Sequence, residues 1–204
     1  MDGRAQRIGG PVPPGIFGYK NISLTNRDTT KAKQLLSEAG YSDGFEITIS
    51  YNIDNLARRK AAELIKDNLD DVGIQVSILG LDWDSLLDSY FAMEYEMTLN
   101  KWAPDYFDAD SYLFPQFHTI SQTEGFNVYG FSDPQVDQLI DQARSTTSET
   151  ARLQAYYEAQ EKIAEQVPVV FLYVPEIYDV VRYNINGWEH SPTGFLYAYD
   201  MYRR

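Results

Sequence analysis

The first half of the chain contains three segments in which apolar and polar residues alternate. Alternation with a period of two is typical of β-strands that bury one face. The apolar positions are Phe45, Ile47, Ile49 and Tyr51; Ile74, Val76 and Ile78; and Tyr95, Met97 and Leu99. Residues with helical periodicity separate these segments. This order of elements predicts an α/β sheet with crossover connections, which are normally right-handed.

Helices are predicted where apolar residues recur three and four positions apart after a capping residue. Two helices fall between the three strands, one precedes them, and two more follow in the second half. The predicted helix starts are Asp28 or Thr29, about Asn55, Asp82, the capping signature Ser132-Asp133-Pro134-Gln135, and Ser148. Gly40 and Gly73 fit the ends of the first two helices, and Pro168 ends the last.

The two ends of the chain have a different pattern. The apolar run at 169–174 predicts a central strand buried on both faces, with residues 177–183 paired beside it. Glycine and proline at positions 9–15 disfavour helix and central strand, and the apolar residues at 10–19 have no evident local core to join. The predicted organisation is an extended arm at 1–27, an α/β domain at 28–194 and a tail at 195–204.

The composition excludes several classes of function. With 17 basic and 30 acidic residues the net charge is −13, which repels nucleic-acid phosphates and anionic membrane surfaces. Cysteine is absent, so disulfides and thiolate sites are excluded. No apolar run approaches the roughly eighteen residues of a membrane span. We therefore expect a globular protein with no nucleic-acid partner and no direct membrane insertion.

Residues 101–114 carry the most distinctive chemistry, because Trp102 is followed by the carboxylates of Asp105, Asp108 and Asp110. An indole can wall an apolar slot while a nearby carboxylate meets an ammonium or guanidinium group. Tyr106 adjoins that carboxylate and is a further candidate for ligand contact. The alternative is a capped helix start beside a core tryptophan, since carboxylates favour helix N-termini.

Metal and catalytic sites are not predicted. The three aspartates lack the glycine turn and the distal bidentate glutamate of a calcium loop. The two histidines, His118 and His190, have no ligand partner at helical or hairpin spacing. Nucleophile elbows, phosphate-binding glycine loops and zinc motifs are absent, so we expect no catalytic residue, no metal and no cofactor. A carboxylate-dependent glycoside hydrolase fragment remains the alternative from another class.

Seven segments, in order, resemble family 5 solute-binding proteins, the dipeptide, oligopeptide and nickel receptors of ABC importers. The most extensive is the segment at 28–45, DTTKAKQLLSEAGYSDGF. The other segments are PPGIFGY at 13–19, VGIQV at 72–76, DW at 82–83, residues 102–110, FSDPQVD at 131–137 and PVVFLY at 168–173. Together they cover nearly the whole chain, and their order and spacing make the resemblance specific.

The resemblance implies roles for particular residues. In peptide-binding members, an aspartate three residues after the motif tryptophan binds the peptide's α-ammonium group, and Asp105 occupies that position here. Tryptophans that match Trp83 and Trp102 line side-chain pockets in some members, although a tryptophan at such a position is more often core. The common motif ends in Pro-Asp, whereas this chain has Phe-Asp-Ala-Asp at 107–110. That departure leaves the aspartate in place but puts the identity of the ligand in doubt.

The resemblance also implies a fold and partners. It predicts a periplasmic-binding-protein type II-like lobe, with a mixed sheet flanked by helices, that matches only the C-terminal part of family members. The implied function is capture of peptides between this lobe and a missing N-terminal lobe, followed by delivery to the membrane permease subunits of an ABC importer. The implied location is periplasmic or extracellular, associated with the cell surface. Sugars, opines and metal chelates remain alternative ligands within the family.

Overall fold

A computed structural model describes residues 4–189 and 198–203. The chain divides into two compact units. The sheet unit comprises Thr25–Trp102 and Gln122–Gly130, and the helical unit comprises Met1–Leu24, Ala103–Ser121 and Phe131–Arg204. None of the described helices is long and apolar enough to cross a membrane.

The described residues form strands and helices in the following chain order. The strands are β1 (Ala5–Arg7), β2 (Phe45–Asn52), β3 (Ile74–Leu81), β4 (Met97–Thr98), β5 (Tyr173–Pro175), β6 (Ile185–Asn186) and β7 (Tyr202–Arg203). The α-helices are α1 (Thr29–Glu38), α2 (Leu56–Asp70), α3 (Trp83–Ala92), α4 (Asp110–Phe117), α5 (Pro134–Ser145) and α6 (Glu149–Gln166). A short 3₁₀ helix spans Thr119–Gln122.

The sheet unit is built on three parallel strands in the order β3–β2–β4. The alternating apolar residues lie on the face of this sheet that packs against α2. Ile49 and Val76 of the sheet and Ala62 of α2 are buried between them. Full burial of a side chain such as Ile49 stabilises the fold by about 1.5–3 kcal/mol. The three predicted strands and the helices between them are therefore confirmed, although β4 is only two residues long.

Helix starts in the sheet unit lie where capping chemistry predicted them. The side chain of Asp28 accepts a hydrogen bond from the backbone N–H of Lys31, and Asn55 caps α2 in the same way. Asp82 accepts from the N–H of Ser85 and begins α3. Such caps satisfy N–H groups that have no partner inside the helix, so they fix where each helix begins.

The helical unit is built around α5 and α6, which pack against each other. Asp133 caps α5 and Ser148 caps α6, as predicted. The buried side chains of the pair are Val136, Ile140, Ala143, Ala155, Tyr156, Ala159, Gln160 and Ile163. These positions recur at threes and fours, which places them on the facing sides of the two helices.

The N-terminal segment packs on this helix pair. Val12 is only 1% exposed, so this segment buries apolar surface although the sequence showed no core near it. Gln160 Nε2 donates to the carbonyl of Gly18 at 2.8 Å, and the N–H of Ala109 donates to the carbonyl of Phe17 at 2.8 Å. The partners lie far away in sequence, which is why no local pattern revealed them.

The predicted central strand at 169–174 is wrong. Only β5 is extended there, and it pairs antiparallel with β1 rather than inside the parallel sheet. Val170 is 71% exposed, and the segment at 177–183 forms no strand, with Val180 and Tyr183 fully exposed. Apolar side chains indicate a tendency to be buried, but they do not determine which strand will pair with the segment. Among the described residues, the strand that pairs with β5 is β1.

Candidate ligand-binding site

The three aspartates of the motif lie in and just after one loop of the helical unit. We call residues 103–109 the anchor loop; α4 begins directly after it at Asp110. The sequence offered two interpretations of these carboxylates, a cation pocket or helix capping. Their contacts among the described residues distinguish the three aspartates, because two are paired with arginines and one is not.

Asp108 is held by helix α6. Its Oδ2 lies 2.9 Å from Arg152 Nη2, and its Oδ1 accepts a hydrogen bond from the Tyr156 hydroxyl at 2.9 Å. The same Oδ1 accepts from the backbone N–H of Asp110 at 2.9 Å, where α4 starts. Asp108 therefore accepts from the first N–H of α4, although the N-cap position itself is Ala109, which makes no side-chain cap bond, and the charge of Asp108 is compensated inside the protein.

Burial and charge tune the groups around Asp108. Burial raises the pKa of the Tyr156 phenol; Arg152 lowers it, and the hydrogen bond to Asp108 raises it again. Burial by itself lowers the pKa of Arg152, but the Tyr156 hydroxyl and the carboxylates of Asp108 and Asp110 raise it overall. The Tyr156 phenol and the Arg152 guanidinium therefore both keep their protons over the whole physiological pH range.

Asp110 is held by helix α5 and is only 8% exposed. Its Oδ2 accepts a hydrogen bond from the Tyr106 hydroxyl at 2.6 Å, and Oδ1 forms an ion pair with Arg144 Nε at 3.3 Å, without hydrogen-bond geometry. The guanidinium of Arg144 also lies over the ring of Phe114, 3.5 Å from its centroid. Asp110 thus joins the anchor loop to α5 through a paired charge.

The ring of Tyr106 is partly exposed at the surface, although its hydroxyl is hydrogen-bonded to Asp110. The residue is 49% exposed, and the adjacent Phe107 is 41% exposed. Desolvation raises the pKa of the Tyr106 phenol to about 12, and the hydrogen bond to Asp110 contributes in the same direction. An aromatic face that is held at one end and open on the other is suited to contact a ligand side chain.

Asp105 differs from its two neighbours. Its backbone N–H donates to Ser111 Oγ at 2.9 Å, which fixes the loop at this point. Its carboxylate is exposed, and in the part of the chain that the structure describes no cation or hydrogen-bond donor contacts it. Among the three aspartates, Asp105 is therefore the one whose charge is available to an incoming cation.

The two candidate tryptophans lie in the sheet unit, after the carboxyl ends of parallel strands. Trp83 follows β3 with one residue between them and is 47% exposed, so it is not a core residue. Trp102 lies beyond β4, is partly buried and contacts the ring of Phe126 edge-on, with the centroids 6.2 Å apart. Ile53 directly follows β2 and is 54% exposed. Ligands of α/β sheets commonly bind outside the carboxyl ends of parallel strands, so this edge is chemically suited to contact one.

The four predicted residues are thus divided between the two units. Trp83 and Trp102 belong to the sheet unit, and Asp105 and Tyr106 belong to the helical unit. Sequence reasoning missed Arg144, Arg152 and Tyr156, which pair with the neighbouring aspartates. The one available signal was the spacing of Arg152 and Tyr156, which are four residues apart and so share a helix face; Arg152 Nη2 lies 3.0 Å from the Tyr156 hydroxyl.

Other candidate chemistry has ordinary partners. His118 lies 3.8 Å from Asp137 and 3.4 Å from Asp141, and His190 lies outside the described residues. Within residues 4–189 and 198–203, no three histidines or carboxylates are grouped so that they would hold a metal ion. Asp108 and Asp110 are both paired with arginines, an arrangement that does not favour a glycoside hydrolase acid–base pair.

Comparison with known proteins identifies related chains. Residues 1–124 match the family model of bacterial extracellular solute-binding proteins, family 5 Middle. A di/tripeptide-binding protein 4 of Pseudomonas aeruginosa (strain UCBPP-PA14) is 32% identical over 197 residues, which are 93% of this chain and 36% of that protein. A dipeptide-binding protein of Escherichia coli (strain K12) is 27% identical, over 90% of this chain and 35% of that protein.

Solved structures give the same result at the level of the fold. The dipeptide binding protein from Pseudoalteromonas sp. SM9913 in complex with Met-Leu has a TM-score of 0.88 and 26% identity, covering 100% of this chain and 41% of that one. The periplasmic binding protein DppA from Helicobacter pylori in complex with the peptide STSA has a TM-score of 0.82 and 28% identity, covering 99% of this chain and 40% of that one. The predicted periplasmic-binding-protein type II-like α/β fold is confirmed. The chain spans little more than a third of the length of its curated relatives.

Proposed function

This chain belongs to family 5 of the bacterial extracellular solute-binding proteins, and we propose that it is part of the substrate-binding component of an ABC importer for peptides. Two relatives whose names describe di- and tripeptide or dipeptide binding support the ligand class. The proposed work is capture rather than catalysis, outside the cytoplasmic membrane, with the permease subunits of the importer as partners. Association with the cell surface is part of the same proposal.

The observation that carries this proposal is that the Asp105 carboxylate has no partner among residues 4–189 and 198–203, whereas Asp108 and Asp110 are paired. A peptide ammonium that leaves water needs an opposite charge and hydrogen-bond acceptors. Asp108 and Asp110 already have arginine partners, so they do not compete for that role. We therefore assign the contact with the α-ammonium group to Asp105, in line with the matching position in peptide-binding family members.

The aromatic candidates supply the remaining contacts in this proposal. Tyr106, Trp83 and Trp102 offer flat apolar surfaces that accommodate different side chains without hydrogen-bond readout. Main-chain groups of a bound peptide would pair with strand-like edges, and water would fill the space around small side chains. Such a site accepts many peptides and selects for a free amino terminus.

Capture is proposed to involve a second lobe in addition to the residues of this chain. The curated relatives are more than twice as long as the segment they share with this chain. A ligand held against one wall keeps much of its surface in water, and lobe closure adds contacts on the other side. We expect this chain to bind a dipeptide at least about a hundredfold more weakly than a two-lobed receptor does.

The experiment compares two ligands and two variants. Met-Leu and N-acetyl-Met-Leu differ in the ammonium group, and NMR titration measures weak affinities for each. We expect Asp105→Asn to weaken Met-Leu binding by about 2–5 kcal/mol and to abolish the preference over the acetylated peptide. Asp67→Asn, which removes the same charge from an exposed position of α2, is the matched control. Unchanged affinity of Asp105→Asn for Met-Leu would contradict the assignment.

A further inference from the structure

We propose that Tyr156 and Arg152 are positioning residues for ligand capture, because they hold Asp108 and thereby fix the anchor loop that presents Asp105. The inference rests on the proposed function, in which the Asp105 carboxylate binds the peptide ammonium group. Neither residue needs to touch the ligand. Their effect is transmitted through Asp108, three residues after Asp105 in the same loop.

The contacts of Asp108 use both of its carboxylate oxygens. Oδ2 forms an ion pair with the guanidinium of Arg152 and Oδ1 accepts a hydrogen bond from the hydroxyl of Tyr156, each at 2.9 Å. Arg152 also contacts the same hydroxyl through Nε at 3.1 Å and Nη2 at 3.0 Å, so the three groups form a closed triangle. A closed network of charge-assisted hydrogen bonds resists rotation of the aspartate more than a single contact does.

The base of this triangle is rigid. Tyr156 is fully buried, and Ala155 and Ala159 beside it on α6 are buried as well. The side chain of Asp108 is only 16% exposed, although it belongs to a surface loop. At Asp108 the loop is therefore attached to the buried part of the helical unit rather than resting on the surface.

The N-terminal segment closes the network from another side. The Phe17 carbonyl accepts from the N–H of Ala109, and Phe17 forms an isolated parallel bridge with Asp108. The guanidinium of Arg152 lies 5.7 Å from the centroid of the Phe17 ring. The N-terminal segment, α6 and the anchor loop, which are remote in sequence, thus meet at Asp108, within the loop that carries Asp105.

The same pairing has an electrostatic consequence. Arg152 is engaged with Asp108, and Arg144 is engaged with Asp110. Neither guanidinium neutralises Asp105, so its negative charge remains available to a ligand ammonium. The network therefore both fixes the loop and keeps nearby arginines away from the anchoring carboxylate.

Tyr156→Phe tests the inference by removing one hydroxyl and little volume. We expect about tenfold weaker binding of Met-Leu, the effect of one lost hydrogen bond to a charged group, and no change for N-acetyl-Met-Leu. Tyr157→Phe is the matched control, because Tyr157 lies on the same helix with its ring under Lys20 rather than at the loop. In the Asp105→Asn background, Tyr156→Phe should cause no further loss, because both changes act through one contact.

Hydrogen exchange supplies a readout that needs no ligand. The N–H of Asp110 is bonded to Asp108 Oδ1 and the N–H of Asp105 to Ser111 Oγ. We expect Tyr156→Phe to speed exchange at both amides by about tenfold, while Tyr157→Phe leaves them unchanged. Arg152→Lys keeps the positive charge but loses the planar guanidinium, so it should also speed exchange at both amides. This variant replaces Tyr156→Phe in the test if Tyr156→Phe does not fold.

The outcomes separate the two proposals. If the wild-type chain binds both peptides equally and Asp105→Asn has no effect, the proposed role of Asp105 fails, and exchange at the loop amides still decides whether Tyr156 fixes the loop. If Asp105→Asn removes the preference but Tyr156→Phe matches Tyr157→Phe in affinity and exchange, the positioning inference is overturned and the function stands. Equal weakening of both peptides by Tyr156→Phe would also overturn it, since that result indicates a general loss of structure.

Discussion

Gln160 offers a sharp test of how the N-terminal segment is held on α6. The side chain is fully buried, and its Nε2 donates to the carbonyls of Gly18 and Tyr156 at 2.8 and 2.9 Å. Gln160→Glu keeps the shape of the side chain but replaces the donor with a carboxylate oxygen. At neutral pH that oxygen faces two carbonyl oxygens without a proton between them, so we expect the introduced carboxyl group to remain protonated in the folded state.

The magnitude follows from linkage. The introduced group has a pKa of about 4.3 in the unfolded chain and a raised pKa in the folded chain. The pH-dependent part of its cost is therefore absent below about pH 4.3 and grows by about 1.4 kcal/mol for each pH unit, until the pH reaches the raised value. The protonated carboxyl has one O–H for two carbonyls, so the loss of one hydrogen bond is present at every pH. At pH 7 the free energy of unfolding should fall by about 3–4 kcal/mol.

Urea unfolding at pH 5.5, 7 and 8, followed by circular dichroism, measures this change. Gln154→Glu is the control, because Gln154 is exposed on the same helix and bonds only to Glu158. A like-charge pair at that spacing should cost about 0.2–0.5 kcal/mol. If Gln160→Glu is as stable as Gln154→Glu at pH 7, or if its cost does not shrink toward pH 5.5, Gln160 does not hold the Gly18 carbonyl as described.

Two further predictions concern stability. Gly18 and Gly15 both have positive φ, but a Cβ at Gly18 would lie 2.8 Å from the Ala109 side chain and 2.9 Å from the Tyr156 ring, whereas one at Gly15 meets open space. Gly15→Ala should therefore cost about 1–2 kcal/mol of backbone strain and Gly18→Ala distinctly more, and equal melting temperatures would disprove the close packing. Burial raises the pKa of Tyr112 to about 12, so the stability from its neutral form is fully present below pH 10 and is lost as the pH rises to 12. The free energy of unfolding should fall more steeply between pH 10 and 11 in the wild type than in Tyr112→Phe, and identical slopes would contradict this assignment.

Much of the local structure was predictable because it depends on neighbours in the sequence. Caps at Asp28, Asn55, Asp82, Asp133 and Ser148 begin helices as predicted, since each side chain bonds to backbone within three residues. The alternation of apolar residues predicted β2 and β3, because a period of two is a property of one strand. The importance of Asp105 came from its place in a family motif, and its ligand contact remains a prediction.

The tertiary structure decided what the aspartates do. Nothing in the spacing of Asp105, Asp108 and Asp110 shows that the second and third have arginine partners and that the first has none in the part of the chain that the structure describes. Tyr156, which bonds to Asp108, is 48 residues away, and only the packing of α6 against the anchor loop brings the two together. Val170 and Leu172 in the apolar run at 169–174 are exposed for the same reason, because burial requires a partner surface and a sequence pattern indicates only the tendency to be buried. Periodicity thus predicted the strands and helices of the sheet unit, whereas long-range contacts determined which of the three carboxylates are paired with arginines.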